Sequence, residues 1–171
     1  MSDGRVEPVL HDRSHVLSLV REGSVESPEV LQTLAWLALS GHGGHLGSWK
    51  SLWEIADEMG KEVSVLVDKH GSAWVDVGTS GMVRLAPAVG SVAPFRFWLH
   101  THPWDAYASS TDRDTLAACL GILEEAVVLG HDHFVHLMNE EVSLTNGLAK
   151  DGPLSHWTSD LCRESYRNDR E

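Results

Sequence analysis

Two histidines two residues apart, followed by a proline and later by an aspartate, are the residues of this chain best suited to chemistry. His100 and His102 follow the apolar run at residues 97–99, and Pro103 ends it. Side chains at positions i and i+2 of a strand point to the same face, so both imidazoles can reach one ion. Asp112 comes later, at the start of an apolar-periodic segment. Three protein ligands with an open fourth position are typical of a catalytic zinc site.

These residues resemble the motif of the JAB/MPN family of metalloproteases, the JAMM-type zinc isopeptidases. That motif is a distant glutamate, then H-x-H-P, a spacer of six residues and S-x-x-D. Here it stands as His100-Thr-His102-Pro103, then Trp-Asp-Ala-Tyr-Ala, then Ser109-Ser-Thr-Asp112. Glu62 has the context of the family glutamate, at the start of a predicted strand that follows a helix. The resemblance covers roughly residues 48–147.

Two departures from the family pattern leave alternatives open. The spacer is one residue shorter than usual, so Asp114 is an alternative to Asp112 as the third ligand, and Ser110 is an alternative to Ser109. Val65 stands where the family usually has glycine. Serine and aspartate are also favoured at helix N-caps, so a purely structural role is the competing interpretation for Ser109 and Asp112.

The resemblance implies a role for each residue. His100, His102 and Asp112 would hold Zn²⁺, and the ion would lower the pKa of a water molecule to about 7. Glu62 would be the general base that takes a proton from this water and passes it to the leaving amine. Ser109 would help to hold the oxyanion, a contribution of roughly 3 kcal/mol in comparable sites.

The activity that the resemblance implies is hydrolysis of a peptide or isopeptide bond. Its substrates would be ubiquitin-like proteins, sulfur-carrier proteins or their conjugates, whose flexible tails fit a narrow groove over the metal. One alternative is a non-catalytic binding scaffold of the same fold, and another is a different zinc hydrolase that acts on a small molecule. A third is a RadC-like protein of DNA metabolism, because residues 68–71, 78–79 and 129–133 resemble that branch of the superfamily.

Composition restricts the partners and the location of the protein. The net charge of −12 at pH 7 argues against a nucleic-acid partner, because phosphate binding needs a basic surface. No apolar run approaches the roughly 18 residues of a membrane span, so we expect no membrane association. Residues 1–5 lack the start of a secretory signal, and we therefore expect a cytoplasmic protein. Cys119 and Cys162 match no paired spacing for a disulfide or a metal.

Periodicity predicts the elements that position these residues. Ser27 and Pro28 predict the start of a helix that ends at the glycine-rich residues 41–44, and apolar spacing predicts a second helix from about Ser48 to Met59. A third helix is predicted from Thr115 to Leu129. Strands are predicted at residues 62–68, 73–77, 95–100 and 133–138, with further short strands at residues 82–85 and 142–144.

Helices that alternate with hairpin-linked strands indicate an α/β or α+β fold, with a mixed sheet flanked by helices. The resemblance further implies a JAB/MPN-like fold with a curved sheet and a single zinc site. We divide the chain into a partly helical N-terminal extension (residues 1–45), a JAB/MPN-like catalytic domain (residues 46–150) and a polar C-terminal tail (residues 151–171).

Overall fold

The fold is a mixed sheet with helices packed on one of its faces. The computed structural model describes residues 4–78, 89–107, 114, 121–138 and 163–166. Its elements are the helices α1 (Arg13–Arg21), α2 (Pro28–His42) and α3 (Leu46–Met59), and the strands β1 (Val63–Val67), β2 (Ala73–Val77), β3 (Phe97–Thr101), β4 (Glu125–Leu129), β5 (His133–Met138) and β6 (Arg163–Ser165). The strand order is β2-β1-β3-β4-β5-β6. The pair β3–β4 is parallel and the other described pairs are antiparallel, which confirms the predicted mixed α/β class.

The two helices predicted before the first strand are confirmed. α2 begins at Pro28, directly after Ser27, where the ring of proline is suited to the first helical position. α3 begins slightly before the predicted Ser48 and ends at Met59, where Gly60 adopts a left-handed φ of 67° and caps the helix. No helix in the described ranges is long and apolar enough to cross a membrane.

Both faces of the sheet are covered, and the alternation along each strand decides where its residues point. The face toward the helices carries Val63, Val65, Val67, Phe97, Leu99, Val127, Leu129 and Phe134. The opposite face carries Leu66, Trp98, Ala126, Val128, Val135 and Leu137. Because side chains alternate along a strand, His100 lies on the same face of β3 as Trp98, away from the helices.

The predicted helix at residues 115–129 is wrong in its last part. Glu125–Leu129 forms β4, which lies parallel to β3 and is buried on both faces. A short apolar run such as Ala126-Val-Val-Leu129 suits a buried strand as well as the stripe of a helix, so periodicity does not separate the two. Residues 115–120 lie outside the described residues, as do the predicted strands at residues 82–85 and 142–144.

The edge strand β6 lies in a segment for which the sequence predicted no element. Arg163–Ser165 pairs with β5 in antiparallel register. Tyr166, directly after it, is buried against Phe134, and its hydroxyl donates to the carbonyl of Gly130 at 2.7 Å. Burial raises the pKa of this phenol well above its usual range. The tyrosine therefore anchors β6 to the turn between β4 and β5.

A buried aspartate organises the segment that leads into β3. The carboxylate of Asp68, at the end of β1, accepts hydrogen bonds from the backbone N–H groups of His70 (2.9 Å), Ser72 (3.0 Å) and Val92 (3.1 Å). Two of these donors belong to the β1–β2 turn and one belongs to the segment before β3. A carboxylate with several N–H donors is strongly stabilised, so Asp68 holds both segments together.

Helices α2 and α3 approach each other closely at a glycine. The indole of Trp49 lies directly against Gly41, and its N–H donates to the carbonyl of Ala38 at 3.0 Å. A Cβ atom built on Gly41 would overlap the indole ring. The absence of a side chain at Gly41 is therefore a condition for this helix pair.

We predict that Gly41→Ala lowers the free energy of unfolding by about 1–3 kcal/mol, because Trp49 must leave its position. Gly47→Ala is the matched control: Gly47 lies in the first turn of α3, and a Cβ there meets nothing within 4 Å. That variant should be as stable as the wild type or up to about 1 kcal/mol more stable. Urea unfolding checks both, and equal stability of Gly41→Ala and wild type would contradict the packing argument.

Candidate functional site

The two predicted histidine ligands lie together at the end of β3. His100 is 1% exposed and His102 is 5% exposed. Their Nε2 atoms are 3.2 Å apart, and their rings are tilted by 59°. Two nitrogens bound to one tetrahedral zinc at about 2.05 Å would be separated by about 3.3 Å. The observed separation is that of one N–H···N hydrogen bond between the two imidazoles, and it also fits two ligands of a single ion.

Aromatic side chains hold these two rings in place. Trp98 stacks on His100 with ring centroids 4.4 Å apart, and its indole N–H donates to Ser64 at 2.7 Å. The ring of Tyr107 meets His102 edge-on, with centroids 4.7 Å apart. Trp53 reaches across from α3 and donates to the carbonyl of His102 at 2.8 Å. Each histidine is thus positioned by its neighbours as well as by its strand.

The predicted general base, Glu62, directly precedes the neighbouring strand β1. β1 pairs with β3 so that Ser64 is opposite His100, and continuing this register by two residues places Glu62 opposite His102. Glu62 has the same parity as Ser64, so its side chain belongs to the face that carries the histidines. It is 8% exposed. The register therefore places a buried carboxylate on the strand position across from His102.

Asp114 is the one further predicted site residue that lies within the described part of the chain. Ser109 and Asp112 lie outside the described residues, as does the alternative Ser110. The alternative ligand Asp114 is described and is exposed. Among the described residues, no group of three or more histidine, cysteine, aspartate or glutamate side chains is arranged to hold a metal. The third ligand therefore stays a prediction.

A cavity of about 190 Å³ opens beside His102, between the end of α3 and the end of β3. Trp53, Ala56 and Pro103 make it largely apolar, and Lys61 contributes a charged group. Because the cavity lies next to His102, it could hold an apolar group of a ligand that binds at the histidine pair.

The turn after Pro103 is fixed by residues whose roles the sequence did not predict. The Nε2 atom of His133 accepts from the N–H of Ala106 at 3.1 Å, and its Nδ1 lies 2.6 Å from Asp132. We infer that the ring proton is on Nδ1, because Nε2 acts as an acceptor. A Cβ on Gly130 would come within 2.7 Å of the Trp104 carbonyl. The sequence signal for these contacts is the histidine-rich run at residues 130–133. The residues that it contacts, Trp104 and Ala106, are distant in the chain, so the sequence did not reveal the contacts.

A second histidine–carboxylate cluster lies on the helix side of the sheet. The Nε2 atoms of His42 and His136 are 3.0 and 3.1 Å from the same Oε2 atom of Glu125. Burial raises the pKa of Glu125, but His136 and His42 outweigh this effect and lower the pKa to about 2. The contact with Glu125 raises the pKa of His136 against the opposing effect of burial, and the charge of Glu164 acts in the same direction as Glu125. The cluster joins the end of α2 to β4 and β5.

The chain was compared with protein families, curated proteins and solved structures. No family model matches the chain, no curated protein matches it, and no solved structure matches it.

The cluster around Glu125 predicts a pH-dependent contribution to stability. The lowered pKa of Glu125 stabilises the fold above its ordinary value of 4.5, and this contribution is lost as the pH falls toward 2. The raised pKa of His136 stabilises the fold below its ordinary value of 6.5, and this contribution is lost as the pH rises through the folded-state pKa. His136→Gln should therefore cost most stability between about pH 4.5 and 6.5 and progressively less at alkaline pH.

Urea unfolding of the wild type and of His136→Gln at a series of pH values measures this difference. The matched test repeats the comparison in a Glu125→Gln background, where the pH dependence of the difference should disappear because the carboxylate is gone. A stability difference that stays constant from pH 5 to 9 would contradict the assignment.

Proposed function

We propose that this protein is a zinc-dependent hydrolase of peptide or isopeptide bonds. The observation that supports this most directly is the pair of buried histidines whose Nε2 atoms are 3.2 Å apart. That spacing fits two ligands of one tetrahedral ion, and the chain pattern around it resembles that of the JAMM-type isopeptidases. Glu62, opposite His102 by register, adds a carboxylate where such a reaction needs a base.

His100 and His102 would hold the ion, with Asp112 as the proposed third ligand. When bound, zinc supplies the Lewis acidity that makes a water molecule acidic near neutral pH. Glu62 would accept the proton of that water and transfer it to the amine that leaves. Ser109 would donate its hydroxyl to the oxygen of the scissile carbonyl as negative charge develops there. The surrounding aromatic side chains exclude bulk water, which strengthens each of these polar interactions.

The proposed substrate is the C-terminal region of a ubiquitin-like or sulfur-carrier protein, or of one of its conjugates. The resemblance supports this class, because JAMM-type enzymes act on such tails. The acidic net charge of −12 opposes the alternative of a RadC-like role on DNA. A cytoplasmic location, where such substrates are found, completes the proposal.

Metal content tests the ligands. We predict one zinc per purified chain, and loss of that zinc in His102→Ala. Asp112→Ala should lose it as well, whereas Asp114→Ala should retain it. His136→Gln is the matched control because His136 belongs to the separate cluster around Glu125, and it should retain zinc. Elemental analysis after dialysis gives the stoichiometry, and a wild type that takes up no zinc would refute the proposal.

Activity tests the base. We predict that Glu62→Gln lowers kcat by about 10²–10⁴-fold while the zinc content stays unchanged, because the amide cannot accept the proton. The assay follows cleavage of a reporter fused after the C-terminus of a ubiquitin-like or sulfur-carrier domain. If the wild type binds zinc and these domains but cleaves none of the fusions, the protein is a binding scaffold of the same fold.

A further inference from the structure

One tryptophan is exposed beside the histidine pair. Trp104 is 69% exposed, whereas Trp49, Trp53, Trp74 and Trp98 are buried. It lies two positions after His102, and Tyr107, which touches the ring of His102, is 48% exposed. Large exposed aromatic groups next to a candidate site commonly belong to a binding surface.

The backbone of Trp104 is strained in a way that glycine would relieve. Its φ is 62°, and it is the one non-glycine residue of the described ranges with a positive φ. Seven glycines occupy the other described positions of this kind. A bulky side chain in the left-handed region has a real energetic cost. The indole therefore occupies a position where the chain elsewhere uses glycine.

The contacts that fix this turn do not need the indole. The carbonyl of Trp104 accepts from the N–H of His131 at 2.6 Å, and Ala106 donates its backbone N–H to His133. A glycine at position 104 would keep both contacts. The ring itself lies 5.4 Å from the ring of His131, tilted by 43°. The turn thus presents the indole outward and is held by backbone groups.

The charges around the indole favour a cation as its partner. Asp105 follows Trp104, and Asp132 follows His131; both side chains are exposed. The hydrogen bond with His133 lowers the pKa of Asp132, so this carboxylate is charged at neutral pH. Lys50, a cation in this region, is engaged: its ammonium donates to the carbonyl of His131 and lies 5.0 Å from the ring of Trp53.

We propose that the exposed indole of Trp104 binds an arginine or lysine side chain of the polypeptide substrate, with negative charge supplied by Asp105, the next residue, and by Asp132, the neighbour of the His131 ring that lies 5.4 Å from the indole. This inference rests on the proposed function, since it assigns a side chain of the substrate to a position near the scissile bond. The cation stacks on the indole face, and the carboxylates complement its charge. The net charge of −12 adds long-range attraction for a basic segment.

The test measures binding rather than cleavage, so that its outcome is independent of catalysis. The probes are four extended peptides that end in Gly-Gly and differ at one upstream residue, which is Arg, Lys, Leu or Glu; the set is repeated with that residue at each of four upstream positions. Calorimetry gives the Kd for the wild-type chain and for Trp104→Gly. We expect the Arg and Lys peptides to bind the wild type about 3- to 10-fold more tightly than the Leu peptide at one position, and this preference to vanish in Trp104→Gly.

The thermal stability of the same variant separates a binding role from a structural one. Trp104→Gly should melt about 2–4 °C above the wild type, because the strain at φ 62° is removed. Trp104→Phe should keep part of the preference for cations and should not gain this stability. Leu10→Ala, which truncates an exposed apolar side chain on the N-terminal segment, is the control and should leave all affinities unchanged.

Three results would overturn this assignment. One is a Trp104→Gly variant with unchanged affinities, and another is a variant that melts below the wild type. The third is a wild type that prefers the Leu peptide or binds no peptide up to millimolar concentration. The proposed hydrolase function fails separately, when the zinc or the cleavage described above is absent although the peptides bind as expected.

Discussion

β3 lies between β1 and β4 in the sheet, and its pairing with both strands fixes the position of the histidine pair. β3 is antiparallel to β1 and parallel to β4, and all of its residues are buried. Phe97 and Leu99 face the helices, so their burial determines the register. A slip of the strand pairing by one residue would move Phe97 and Leu99 to the opposite face of the sheet. It would also place His100 in the core between the sheet and the helices. The burial of Phe97 and Leu99 therefore determines both the register of β3 and the face on which His100 lies.

Tryptophan side chains provide the contacts that allow the two histidines to be buried. Imidazoles and carboxylates are costly to bury unless they find polar partners, and indole rings supply both an apolar wall and one N–H donor. Trp98 stacks on His100 while it donates to Ser64, and Trp53 donates to the backbone of His102. Both histidines are therefore held by neighbouring groups, and the rings of Trp104 and Tyr107 are exposed to solvent.

Histidine side chains make different contacts on the two faces of the sheet. At the end of β3, the Nε2 atoms of His100 and His102 converge on each other, an arrangement suited to sharing an ion. Across β4 and β5, the Nε2 atoms of His42 and His136 converge on one carboxylate oxygen of Glu125, which makes an ion-pair network that joins α2 to the sheet. Spacing along the chain distinguishes the first pair, whereas only the fold assembles the second.

Signals within a few residues of each other predict two helices, one hairpin and the histidine pair. The Ser27-Pro28 start and the apolar spacing of α3 predict two helices, and the two apolar runs at residues 62–68 and 73–77 predict the strands of the β1–β2 hairpin, because each signal lies within a few residues. The i, i+2 spacing likewise placed His100 and His102 on one face. Periodicity wrongly predicts a helix at β4 and predicts no element at β6. A short apolar run and a short polar segment both acquire the strand conformation by pairing with their neighbours in the sheet.

The surroundings of the histidines come from segments that are distant in sequence. The register of two strands that are distant in sequence places Glu62 opposite His102, and His133 accepts a hydrogen bond from the turn after Pro103 from the far side of β4. Trp104 is exposed on a left-handed turn whose carbonyl lies close to Gly130 and accepts a hydrogen bond from His131. These features depend on close packing between remote segments, which local spacing does not encode.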